Sequence, residues 1–106
     1  MEHPRGRLDE VIHSPVRFSV VAALAAVDRA EFRFVRDTVE VSDSVLSKQV
    51  TVLENAGYVK VHKAAVGRRT RTSLSLTGEG RAAFDQHVLA LREIASGTHV
   101  RVPEAE

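Results

Sequence analysis

Residues 42–57 read Ser42-Asp43-Ser44-Val45-Leu46-Ser47-Lys48-Gln49-Val50-Thr51-Val52-Leu53-Glu54-Asn55-Ala56-Gly57, and this stretch decides the fold. Leu46, Val50 and Leu53 recur at helical spacing and form one apolar stripe, while Ser44, Ser47, Lys48 and Thr51 fall on the opposite face. Ser42 is a good N-cap because its hydroxyl can accept from a free amide of the first turn. Asp43 adds negative charge at the positive end of the helix dipole. Gly57 suits a left-handed C-cap, so a helix is predicted over Asp43–Ala56.

Beyond Gly57 the apolar period changes from about 3.6 to about 2. Val59 and Val61 share a face in a strand over Tyr58–Lys63, Leu74 and Leu76 do so over Arg71–Leu76, and Gly67 lies between the two as a hairpin turn. From Asn55 to Gly78 there is no acidic residue, whereas Lys60, Lys63, Arg68, Arg69 and Arg71 crowd into the hairpin. Its tip, Val66-Gly67-Arg68-Arg69-Thr70, offers two guanidinium groups suited to phosphates or to a narrow minor groove. Thr77 then caps a last helix over Gly78–Ser96, whose apolar stripe is Phe84, Val88, Leu91 and Ala95.

Upstream, a short helix is expected from Leu8 to His13, ended by Ser14-Pro15, an N-cap followed by proline at the first helical position. The helix that follows runs to Val27 with Val16, Val20, Ala23, Leu24 and Val27 facing inward. Its run Phe18–Val27 is too short to span a bilayer, which takes about 20 apolar residues, and the acidic Asp9 and Glu10 in the leader argue against a secretory signal. Asp28–Phe32 reads as a polar connector and Arg33–Val39 as a third short helix. Glu40-Val41-Ser42 is long enough only for a tight turn. Residues 1–7 and 97–106 read as flexible tails around one domain, 8–96.

Two short helices joined by such a turn make a helix-turn-helix corner, and the basic hairpin behind it makes a wing. The expected fold class is therefore α+β, mostly helical: a winged helix-turn-helix with a two-strand wing and a C-terminal dimerisation helix. Composition is compatible: 106 residues, 43% apolar and 27% charged, suit one globular domain. Net charge is only +1, so a nucleic-acid reading rests on where the charges sit. The chain has no cysteine, which excludes disulfides and thiolate sites. His3, His13, His62, His87 and His99 show no paired-ligand spacing, and His62 is expected to face outward on the wing. No triad or convergent carboxylate pair stands out, and Gly78-Glu79-Gly80 lacks the lysine of a phosphate loop. No catalytic residue, metal or cofactor is expected.

The segment Leu46–Val59 resembles the recognition helix and first wing strand of MarR-like winged-helix regulators. Gly67-Arg68-Arg69-Thr70-Arg71-Thr72 resembles their wing, Leu76-Thr77-Gly78-Glu79-Gly80-Arg81 the opening of their final helix, and Ile12-His13-Ser14-Pro15-Val16-Arg17 the start of their second helix. The likeness covers about residues 8–96 and implies a homodimeric transcriptional regulator of the compact single-domain subgroup. Full-length members carry extra terminal helices that build a ligand crevice, so no effector follows from the resemblance. Glu40 stands where glycine or asparagine often makes the turn.

The function expected is sequence-specific binding of double-stranded DNA, with a palindromic operator and a repressor's role in the cytoplasm, away from membranes. Base readout falls to Ser44, Ser47, Lys48, Gln49 and Thr51, with Gln49 able to reach an adenine if it is not turned inward. Lys63, Arg68, Arg69 and Arg71 face phosphates, and Leu8, Ile12, Phe84, Val88, Leu91 and Ala95 face a partner copy. The alternative is a winged helix whose basic wing binds an acidic protein.

Overall fold

Hydroxyl caps open three of the helices in the computed structural model, which describes residues 2–103. Ser14 Oγ accepts from the Arg17 amide at the head of α1 (Pro15–Ala25), and Ser42 Oγ from the Val45 amide, at 3.2 Å, at the head of α3 (Asp43–Asn55). Thr77 Oγ1 accepts from the Gly80 amide at 2.9 Å and starts α4 (Gly78–Ser96). Between them, α2 (Phe32–Val39) ends on Glu40, whose φ of 61° is the one left-handed non-glycine conformation among the described residues. That conformation lets the Val41 amide reach back to the Arg36 carbonyl at 3.2 Å, which closes α2 and aims the chain into α3.

Gly57 closes α3 in the same way, with its φ at 82°, its amide on the Glu54 carbonyl and the Tyr58 amide on the Leu53 carbonyl at 3.0 Å. The chain then enters β2 (Val59–Val66), turns at Gly67, and returns as β3 (Arg69–Leu76) in unbroken register from Val59↔Leu76 to Val66↔Arg69. The positive φ of Gly67, 63°, fits the first central position of a type II′ turn, whose twist matches the strands it joins.

Leu24, Val35, Leu46, Leu53, Val59 and Leu74 meet in one core that joins α1, α2, α3 and the sheet. Phe84 of α4 packs against that core and stacks obliquely on Phe18, with ring centroids 5.8 Å apart. The radius of gyration is 17.3 Å, against about 13 Å for a compact chain of this size. The chain is thus elongated, with principal extents of 76 × 25 × 20 Å. No described helix is long and apolar enough to cross a membrane.

Several expectations from sequence are revised: α1 ends at Ala25, and Val27, expected to face inward, is exposed. The helix expected over Leu8–His13 is a turn, because the Asp9 carboxylate accepts from the Val11 and Ile12 amides and holds the chain in a tight bend. Ahead of it, Pro4–Arg7 forms a 3-10 turn packed on α4. The connector Asp28–Phe32 contains a short strand, β1 (Ala30–Glu31), paired antiparallel with β3 at Ala30↔Leu74 and Glu31↔Ser73. The sheet is therefore three-stranded, in the order β1-β3-β2, and the wing strands run closer to the tip than the sequence pattern indicates. Alternation fades there because both faces are exposed, so burial no longer imposes a period.

Candidate nucleic-acid interface

The polar face of α3 is open. Ser44, Ser47, Lys48 and Thr51 are all exposed, and Leu46, Val50 and Leu53 on the other side are buried. Thr51 Oγ1 donates back to the Ser47 carbonyl at 3.0 Å and leaves its lone pairs facing outward. Lys48 is exposed and makes no ion pair among the described residues, so it is free to contact a base edge or a phosphate. Gln49 departs from expectation. It is half-buried, and its Oε1 accepts from Arg17 Nη1 at 2.7 Å. The Arg17 guanidinium also donates to the Val11 carbonyl, so Gln49 ties α3 to the head of α1 and is turned away from the helix's reading face.

Beside α3 the wing rises as a second wall. Ser47 of α3 and Arg69, Thr70, Arg71 and Thr72 of β3 share an open groove of about 540 Å3 with Arg33 and Arg36 of α2. A continuation of about 320 Å3 brings Thr51 and Glu54 opposite Lys63 and Thr72. Arg68 stands at the hairpin tip, exposed to solvent like Arg69. The fold thus gathers Ser47, Thr51, Lys63, Arg69 and Arg71 along one trough, with Ser44 and Lys48 on the outer side of α3.

Sequence reading missed the contribution of α2. Arg36 donates from Nε to Asp37 and from Nη1 to Asp43, each at 2.9 Å, and its pKa is raised by these bonds. It fastens α2 to the first turn of α3 and so fixes the angle of the helix-turn-helix corner. Arg33 and Arg36 lie three residues apart on a helix, a spacing visible in sequence, but nothing there says that they face the wing. His62 is half-buried and bonded through Nε2 to Ser75 Oγ at 2.8 Å, and so does not face freely outward. Burial, then Arg29 and Lys60, lower its pKa.

The winged-helix pattern accounts for residues 16–95, which match the family described as winged helix DNA-binding domain. The chain belongs to that family. This winged helix is similar to a transcriptional regulator homologue from Pyrococcus horikoshii OT3, at 23% identity and a TM-score of 0.82, over 94% of this chain and all of that one. It is also similar to the PcaV transcriptional regulator from Streptomyces coelicolor, solved with its natural ligand, at 22% identity and a TM-score of 0.71 over 92% of this chain and 70% of that one. An uncharacterized protein of Methanocaldococcus jannaschii is 24% identical over 86 residues, 81% of this chain and 94% of its own. The winged helix fold matches that of MarR-like regulators.

The residues expected at a dimer seam divide. Phe84, Val88 and Leu91 of α4 are half-buried, Leu8 likewise, and Ala95 is exposed. Ile12 is the exception. Its exposure is 0%, so it serves the protomer's own interior and has no surface to offer a second copy. Leu89, which the sequence reading passed over, is 54% exposed on α4.

Proposed function

We propose that this winged helix is a sequence-specific, double-stranded DNA-binding transcriptional regulator. It acts in the cytoplasm as a homodimer on a palindromic operator and represses by occluding a promoter. The trough between the exposed face of α3 and the basic wing carries the reading. Its two walls supply the two kinds of contact that DNA requires: hydroxyls and Lys48 toward base edges, guanidinium and ammonium groups toward phosphates. Ser44, Ser47, Lys48 and Thr51 read bases. Lys63, Arg68, Arg69 and Arg71 hold the backbone, with Arg33 added from α2.

Homodimerisation is supported by the extended shape and by α4, which presents Val88, Leu91 and Ala95 along one edge. A two-fold partner would cover that edge and set two copies of α3 against successive turns of the major groove.

Selection of bound duplexes from a random pool tests both halves of the proposal. A consensus with inverted repeats is expected. A single unrepeated motif would remove the dimer, and no enrichment would remove sequence-specific reading.

A further inference from the structure

The hairpin contains no acidic residue in sequence, yet in space a carboxylate sits among its arginines. Glu31 Oε1 lies 3.1 Å from Arg71 Nε, and Glu31 Oε2 lies 3.1 Å from Arg33 Nε. One carboxylate therefore bridges the wing and the start of α2. Its position is built into the sheet, because the Glu31 backbone pairs with Ser73 through β1. Glu31 is also the N-cap of α2, but its side chain makes no capping bond. The carboxylate is spent on the two arginines, within the groove shared by Ser47 and Arg69.

We infer that Glu31 is a counter-charge residue that competes with phosphates for Arg33 and Arg71, two of the backbone contacts proposed above, and so weakens sequence-independent binding to duplex DNA. This rests on the DNA-binding reading above. Arg33 and Arg71 are well exposed, with side chains 75% and 59% accessible, so solvent screens both ion pairs and each is easily broken. A phosphate approaching either arginine must nevertheless displace Glu31, and the charge gained by the DNA is offset by the charge set free. An arginine that is already neutralised releases few counterions from DNA, so the salt dependence is shallow for the number of cations in the groove.

The test uses the full chain and a mixed-sequence duplex, with affinity measured across a salt series. Glu31→Gln keeps the size and polarity of the side chain and removes the charge. Asp85→Asn makes the same change in net charge at an exposed position on α4, outside the groove. Glu31→Gln is expected to bind roughly three- to tenfold more tightly at low salt and to steepen the salt slope by about 1 to 2. Asp85→Asn should stay within about twofold of the wild type. Adding Arg71→Gln to Glu31→Gln should cancel much of the gain, which ties it to the freed arginine. If Glu31→Gln matches Asp85→Asn, or if the gain survives loss of Arg71 undiminished, the inference is overturned while DNA binding stands. If the wild type itself shows no salt-dependent binding, the DNA-binding reading falls and the role of Glu31 falls with it.

Discussion

The backbone amide of Asp9 donates to Nδ1 of His87 at 2.9 Å and so joins the turn before α1 to the buried side of α4. The same Asp9 accepts the Tyr58 hydroxyl at 2.6 Å through Oδ2, a bond that, with burial, pushes the tyrosine pKa up to about 12. Asp9 thereby ties together the N-terminal turn, the root of the wing and α4. Nδ1 must stay unprotonated to accept that amide, and His87 is only 1% exposed.

Acid should therefore loosen the fold through His87. Burial lowers its pKa, His13 lowers it further, and Asp9 pulls weakly the other way. The unfolded chain, with an ordinary histidine, takes up the proton first. Stability from this group is full above about pH 6.5 and declines as pH falls toward the lower folded value. The urea midpoint is expected to drop between about pH 7.5 and about pH 5. His87→Asn keeps an acceptor without a titrating ring and should flatten that dependence. An equally steep decline in the variant would place the sensitive group elsewhere.

Gly80 should tolerate no side chain. A Cβ there would lie 2.3 Å from the Tyr58 carbonyl oxygen and 2.9 Å from its carbon, and this backbone cannot swing aside as a flexible side chain does. Gly80→Ala is expected to destabilise by about 1 to 3 kcal/mol after the helix-propensity gain is counted. Gly78 has nothing within 4 Å of its Cβ position, so Gly78→Ala should be neutral or stabilising by up to about 1 kcal/mol. Denaturant melts of the two variants should move apart, and parallel shifts would contradict the packing.

The wing should account for part of the salt dependence. Replacing both Arg68 and Arg69 with alanine is expected to weaken binding to every duplex and to lower the salt slope by up to about 2. An unchanged slope would take the hairpin tip out of the interface. Lys48→Ala should instead relax preference at one operator position by about 1 to 3 kcal/mol, and a uniform loss over all sequences would make Lys48 a phosphate contact.

Placing a charge on α4 should separate the protomers. Leu91→Glu introduces the carboxylate twice across a two-fold seam, and a folded monomer with much weaker operator binding is expected. Because Leu91 is half-buried, Leu89→Glu at the more exposed position is the companion that cannot act through the protomer core. Sedimentation reports mass and circular dichroism reports helix content. Two folded, fully dimeric variants would move the seam off this helix.

Sequence by itself determined much of the architecture, because the signals involved are local. Ser14, Ser42 and Thr77 satisfy amides a few residues away, Gly57 and Gly67 supply the left-handed conformations that end a helix and turn a hairpin, and a change of apolar period separates α3 from β2. Tertiary structure decided what depends on distance in space. Asp9 overrode the helical expectation before α1 by capturing the Val11 and Ile12 amides and the Tyr58 hydroxyl, which is 49 residues away. Only the folded chain shows Gln49 turned onto Arg17, Ile12 sealed in the core, and β1 laid along β3. The same holds for the charge of the wing. Its acid-free stretch is a local property, but electrostatic energy follows separation in space rather than along the chain, and folding sets Glu31 between Arg33 and Arg71.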